Sequence, residues 1–147
     1  MKSLTLSFVL ALVTSIATAQ WEWQNPTPFG LDLRAAYFTD ANTGTVVGWG
    51  GTILHTTNQG ASWELQAHGV ANGLTSVSLS GKTGICVSDM GEILHTTNDG
   101  TRWTVQYTMA GSLSGVCHGD ANHAWAVGSF SSEGFYDRAA VLCSSDG

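Results

Sequence analysis

The sequence predicts an all-β chain: an incomplete β-propeller of about three four-stranded blades, each of roughly forty residues. Three observations predict it. A thirteen-residue segment beginning at Gly51 recurs at Gly91, an offset of 40 residues. Each unit holds four short apolar runs punctuated by Gly, Asn and Asp. A Trp stands three residues after the turn glycine in both copies, at Trp63 and Trp103.

The first copy reads Gly51-Thr52-Ile53-Leu54-His55-Thr56-Thr57-Asn58-Gln59-Gly60-Ala61-Ser62-Trp63 and realigns on Gly91 through Trp103. Other landmarks return after 80 residues: Asp40-Ala41-Asn42 as Asp120-Ala121-Asn122, and Val47-Gly48 as Val127-Gly128. Trp21-Glu22-Trp23-Gln24, Trp63-Glu64-Leu65-Gln66 and Trp103-Thr104-Val105-Gln106 share the pattern Trp-x-apolar-Gln. Residues 20–24 therefore read as the outer strand of a closing blade. Residues 31–66 form blade 1, 73–107 blade 2 and 112–147 a truncated blade 3. Expected strands are 33–39, 45–49, 52–57 and 62–66, then 74–79, 84–88, 92–97 and 102–107. No stretch of useful length shows the 3.6-residue apolar period of a helix. The competing β-sandwich leaves the thirteen-residue match unexplained.

The segment from Thr56 to Trp63 resembles the Asp-box of bacterial neuraminidase repeats, Ser/Thr-x-Asp-x-Gly-x-x-Trp, and so does Thr96 to Trp103. The structural positions are Thr56, Asn58, Gly60 and Trp63, then Thr96, Asn98, Gly100 and Trp103. A short polar side chain folds back on the turn's own N–H groups. Gly supplies a positive φ, and Trp buries its indole under the hairpin. Asn58 and Asn98 replace the usual Asp but keep one carbonyl acceptor. A third box is expected at Cys143-Ser144-Ser145-Asp146-Gly147, with Ser145 at the Asn position. The boxes lack the alternating oxygen ligands and terminal Glu of a calcium loop.

The wider pattern is Asp-x-x-x-Gly, Val-Gly, a glycine turn, Ile-Leu-x-Thr, then the box and its Trp. It is similar to the propeller family of the photosystem II assembly and stability factor, over residues 21–147. That resemblance implies a ring of about seven blades, non-enzymatic, acting as a binding platform with a basic surface patch. The cations beyond the leader are Arg34, Lys82, Arg102 and Arg138.

Residues 1–19 read as a secretory signal: Lys2, an apolar stretch over 4–16, then Ala17-Thr18-Ala19 as the cleavage site. The mature chain would start at Gln20, be secreted, periplasmic or cell-surface, and hold no membrane span. Hydrophobic residues make up 43% and charged residues 11%, which excludes a disordered chain. The net charge of −6 argues against nucleic acid as a partner. Cys86, Cys117 and Cys143 have no metal spacing and read as small core residues of strands.

No cofactor, metal or catalytic residue is expected. A sialidase would need three converging arginines, and hydrolysis would need paired carboxylates at a defined separation. Asp89 and Glu92 flank one hairpin and read as turn residues. His55 and His95 are repeat equivalents, and with His68, His118 and His123 they show no ligand spacing. The third unit carries seven extra residues between its second and third strands. Phe130, Phe135, Tyr136 and Arg138 in that loop are types enriched at binding hot spots and form the candidate ligand-binding loop. In a propeller such loops share a face with the blade-to-blade connectors, opposite the boxes. The alternative is a long hairpin packed on its own blade.

Closed propellers need roughly four to eight blades. The chain is therefore expected to be the N-terminal part of a longer protein whose remainder closes the ring. The expected function is a non-catalytic binding or assembly scaffold for a protein or glycan. The alternative is the front of an Asp-box glycoside hydrolase of sialidase or endoglucanase type.

Overall fold

A computed structural model describes residues 21–22, 31–66, 69–130 and 138–145. The expected leader, Trp23, Gln24, His68, Phe135, Tyr136, Asp146 and Gly147 lie outside the described residues.

Eleven strands form three antiparallel sheets among the described residues. The first sheet contains β1 (Leu33–Phe38), β2 (Gly44–Gly48), β3 (Ile53–Thr56) and β4 (Glu64–Leu65) in sequence order. The second repeats the order with β5 (Leu74–Ser80), β6 (Thr83–Ser88), β7 (Glu92–Thr96) and β8 (Thr104–Thr108). The third contains β9 (Gly111–His118), β10 (Ala124–Phe130) and β11 (Arg138–Ser144). These are the blades of an open propeller arc. Blade 3 shows three strands rather than four among the described residues, because the fourth would follow the box.

The first strands of the blades lie side by side. Ser76 Oγ of β5 accepts from the Val116 amide at 3.2 Å, and Ser78 Oγ from the His118 amide at 3.1 Å. Both pairs are 40 residues apart, so the sequence offset is also a step between neighbouring blades.

Two apolar layers glue the blades. Val47 and Ile53 of blade 1 pack on Leu74, Val77, Leu79, Cys86, Leu94 and Trp103 of blade 2. Ile85 and Val87 of blade 2 pack on Leu113, Ala124 and Ala126 of blade 3. Alternation along each strand sends successive side chains into opposite layers, which is why Cys86 faces blade 1 while Ile85 and Val87 face blade 3. Cys86 meets the core expectation, and burial pushes its thiol well above the ordinary value. Cys117 and Cys143 do not: both are exposed. Their faces point to where no further blade is described.

The boxes are built as the residues dictate. Thr56 Oγ1 accepts from the amides of Asn58 at 3.3 Å and Gly60 at 3.1 Å, while Asn58 Oδ1 accepts from the Ser62 amide at 2.9 Å. Thr96 and Asn98 repeat this toward the amides of Asn98, Gly100 and Arg102 at 3.4, 3.3 and 3.0 Å. Asn is thus a sufficient acceptor. Gly60 and Gly100 take φ of 82° and 81°, and Gln59 and Asp99 before them also sit at 64° and 61°. Two consecutive left-handed residues make the turn, not the glycine alone.

The two tryptophans differ. Trp103 is 2% exposed, and its indole N–H donates to Gly100 O at 2.9 Å. Trp63 is half-buried, with Phe38 edge-on at 6.2 Å, and its buried Nε1 has no partner. Position in the arc explains this: Trp103 fills the layer between blades 1 and 2, whereas Trp63 faces outward from the first blade.

Strand pairing corrects the third box. Gly44 pairs with Thr56 and Gly84 with Thr96, and the structural equivalent Ala124 pairs with Ser144. Ser144 therefore takes the Thr position, and Asp146 rather than Ser145 falls at the position of Asn58 and Asn98. The hydroxyl that the turn needs belongs to Ser144, not to Cys143. The third hairpin is consequently eight residues longer than its equivalents, not seven.

Trp103→Ala is expected to destabilise by about 3–5 kcal/mol in urea unfolding. Trp63→Ala should cost clearly less, since its indole is only half-buried. Equal costs would contradict the explanation by position.

Candidate functional site

The two faces of the arc differ in what anchors them. On one face each box turn is tied to the turn between the first two strands. The Gln59 amide donates to Asn42 O and the Asp99 amide to Lys82 O, both at 2.9 Å. The turn of blade 1 and its counterpart in blade 3 are set locally by Asp40 and Asp120, whose Oδ1 atoms accept two amides each. These hydrogen bonds lower both carboxyl pKa values, with the Asn42 and Asn122 amides the largest cause. On the other face, the turns between second and third strands are tied to the connectors. Trp49 N donates to Asp32 O, Asp89 N to Gly73 O and Met109 N to Gly91 O, each at 2.9 Å. The sidedness expected for the variable loops is the one observed.

The loop face carries a cluster that the repeat does not predict. Each first strand bulges where it leaves the connector. The pairing skips Arg34 in blade 1, Thr75 in blade 2 and Ser114 in blade 3. A bulge turns a side chain out of the sheet's alternation. Thr75 spends its hydroxyl on Val87 O at 3.1 Å and Leu113 O at 2.7 Å, and Ser114 on Val127 O at 3.3 Å. Arg34 cannot fold back in this way. Its guanidinium lies 4.6 Å from the Trp49 ring centroid and 3.4 Å from Asp89 Oδ2. Arg34 thereby links blade 1 to the connector end of blade 2.

Trp49 is presented by a tight turn at Trp49–Gly51 in which Gly50 and Gly51 have φ of 63° and 71°. Thr52 holds that turn by donating Oγ1–H to Trp49 O at 2.8 Å. The indole is 47% exposed, with Leu31, Leu33 and Met90 also exposed near the same end of the sheets. A cation over an exposed indole contributes about 0.5–1 kcal/mol, and the half-exposed ion pair no more than about 1 kcal/mol. The cluster is held in place weakly enough to exchange partners.

Glu92 is a brace. It accepts from Asn72 Nδ2 at 2.8 Å and Ser88 Oγ at 2.9 Å, while Ser88 Oγ accepts from the amides of Met90 and Glu92. Asp89 and Glu92 thus each have a structural partner. Among the described residues no group of three His, Cys, Asp or Glu could hold a metal.

Of the expected loop residues, Phe130 and Arg138 are cross-strand partners at the mouth of the long hairpin. Both are exposed, and Arg138 adds a second cation to the loop face. Lys82 and Arg102 belong to turns of the box face. Trp49 and Arg34 were not singled out from the sequence. The available signal was that Trp49-Gly50-Gly51 aligns with Asp89-Met90-Gly91, so its Trp departs from the repeat.

Two histidines, His55 and His118, face the layers between blades. His55 is buried with Nδ1 at 3.4 Å from Thr45 Oγ1, and desolvation lowers its pKa against the opposing pull of Asp99 and Glu64. His118, with Nδ1 at 3.1 Å from Ser78 Oγ, is lowered chiefly by desolvation and further by His95, against Asp120. Nε2 of both His95 and His118 is buried without a partner. His123 pairs with Asp120 at 2.9 Å on the exposed turn.

Residues 13–147 match the family described as photosynthesis system II assembly factor YCF48. A solved structure of YCF48 bound to D1 peptide superposes with a TM-score of 0.67 at 22% identity, over 81% of this chain and 38% of that one. YCF48 from Cyanidioschyzon merolae gives 0.63 at 23% identity, over 78% and 41%. An ancestral GH74 enzyme gives 0.61 at 14% identity, over 77% and 19%. These likenesses show the fold, and the chain spans about two fifths of the YCF48 structures it matches. No curated protein matches the sequence.

The lowered histidines set a pH dependence. Each is neutral in the fold and takes a proton more readily when unfolded, at the ordinary 6.5. Above that value their protonation costs no stability; as pH falls through it toward the folded values, stability is lost. Asp40 and Asp120, lowered from 3.8, act only below about pH 4. Melting temperature should therefore fall between pH 7.5 and 5, and the double variant His55→Gln, His118→Gln should flatten that slope. An unchanged slope would refute the assignment.

Proposed function

Because the chain belongs to the family of the photosynthesis system II assembly factor YCF48, we propose that it is a secreted, non-catalytic assembly scaffold that binds an extended polypeptide on its loop face. One family structure holds a D1 peptide, which supports a peptide as the class of partner. The observation that carries the reading is the Arg34–Trp49–Asp89 cluster. An exposed indole offers apolar area at low entropic cost, and Arg34 can leave Asp89 for a peptide carbonyl or carboxylate. The blades behind it are held by two packed layers, so the face needs little reordering to bind.

A glycan partner would use the same indole, stacking a sugar ring on Trp49. The hydrolase version of that reading has less support. The acids of this face are engaged, Asp89 by Arg34 and Glu92 by Asn72 and Ser88. Secretion rests on Lys2, the apolar stretch over 4–16 and Ala17-Thr18-Ala19.

Two measurements test the proposal. Peptides selected from a displayed random library should bind the purified chain. Trp49→Ala should weaken them at least about tenfold, with the melting temperature unchanged. Binding of a glycan array without any peptide binding would overturn the polypeptide reading. Mass spectrometry of the exported chain should give Gln20 as its first residue; an intact Met1 would overturn secretion by cleavage.

A further inference from the structure

On the loop face, the seam between blades 1 and 2 is built as a seat for a cation. Its walls are the Trp49 ring and the Asp89 carboxylate. The Arg34 guanidinium stands between them, 4.6 Å from the ring centroid and 3.4 Å from Asp89 Oδ2. An indole face and a carboxylate both select positive charge.

The walls are fixed, and the occupant is not. The Trp49 amide donates to Asp32 O at 2.9 Å, and Thr52 Oγ1 donates to Trp49 O at 2.8 Å, so the turn that presents the indole is held at both ends. The Asp89 amide donates to Gly73 O at 2.9 Å. Its carboxylate lies over Gly73, where a Cβ would come within 2.5 Å of Oδ2. Strand pairing puts Asp32 and Ser112 at the position of Gly73, and Trp49 and Ser129 at that of Asp89. Of these blades, blade 2 alone combines a glycine with an acid here, so its connector is shaped around the carboxylate. Neither wall needs Arg34 to stay in place. Arg34 reaches them on a long stem from a bulge, and its side chain is 31% exposed.

The surroundings carry the sign of the carboxylate wall. Glu92 is held by neutral partners, Asn72 Nδ2 at 2.8 Å and Ser88 Oγ at 2.9 Å. Asp32 is exposed beside the Trp49 turn. The carboxylates of Asp32, Asp89 and Glu92 thus outnumber Arg34 at this end of blades 1 and 2. Lys82 and Arg102 stand in turns of the opposite face, and Arg138 on blade 3. An anionic segment brought to Arg34 would meet those acids, whereas a cationic one is steered toward them.

We propose that the polypeptide bound on the loop face carries a lysine or arginine, and that this side chain displaces Arg34 from the seat between Trp49 and Asp89. Arg34 then turns to a carbonyl of the peptide. The proposal rests on the polypeptide reading of this face and adds the charge of the ligand to it. Asp89 is the residue that selects the cation.

Peptides selected from a displayed random library on the purified chain should be enriched in lysine and arginine. Replacing the basic residue of a selected peptide by glutamine should weaken its binding to the unaltered chain at least about tenfold. Asp89→Asn should weaken the basic peptide by a similar factor and leave the glutamine peptide unchanged, since both changes remove the same contact. Arg34→Gln should leave the basic peptide bound as tightly or more tightly. The peptide comparison uses the unaltered chain, so it decides the matter even if Asp89→Asn fails to fold. Selected peptides that are acidic, gain affinity with Asp89→Asn and lose it with Arg34→Gln would overturn the proposal and leave the polypeptide reading intact. Basic peptides indifferent to the glutamine replacement would do the same. A chain that binds no peptide overturns both.

Discussion

Everything in this fold depends on a hairpin that satisfies its own backbone. In each complete box a threonine hydroxyl and an asparagine carbonyl take three amides of the turn. Two residues in succession can then hold positive φ, which for Gln59 and Asp99 is unfavourable without such support. The turn aims the following Trp back under the sheet. For Trp103 the turn also supplies the indole's acceptor, Gly100 O, so the largest side chain of the core is buried with its polar atom paired. A blade is therefore oriented toward its neighbour by a turn made of short polar residues, and the apolar layer only has to fill the space so defined.

That dependence explains what was legible in the sequence. The repeat offset, the blade order and the strands of blades 1 and 2 could be read to within a residue or two, because Thr, Asn, Gly and Trp recur at fixed spacing. The third box was misplaced by one residue. There the eight extra residues break the count, and Ser144 and Ser145 offer two candidate hydroxyls. Only pairing with Ala124 decides between them. Cys117 and Cys143 were read as core because strand residues of that size normally are; no local pattern reveals which face of blade 3 lies outside the two described layers.

The candidate site was harder to read for a different reason. Arg34 reaches Trp49 across 15 positions and Asp89 across 55, distances that only blade packing brings together. In the sequence Arg34 stands in Leu-Arg-Ala-Ala, and nothing local marks it as a bulge. The bulge becomes visible once its equivalents are aligned by strand pairing. At Thr75 and Ser114 the turned-out residue is short and returns its hydroxyl to the backbone. A long cation in the same place cannot, and is left facing the connectors.

The repeat thus divides the labour between its conserved geometry and its exceptions. Positions that agree among the blades, such as Val47 with Val87 and Leu94 with Leu142, are spent on the layers and are similar because they face similar surroundings. Positions that disagree are free of that duty. Trp49 differs from Asp89 at the same turn, Arg34 from Thr75 and Ser114 at the same bulge, and the third hairpin from its two shorter equivalents. All three departures fall on one face, the face whose turns are tied to the connectors rather than to the boxes. A surface used only for solvation would have no physical reason to collect an indole, a guanidinium and a lengthened loop on the same side of an otherwise regular scaffold. The box face, where the copies stay alike, maintains the fold; the loop face, where they diverge, is where a partner can be told apart from solvent.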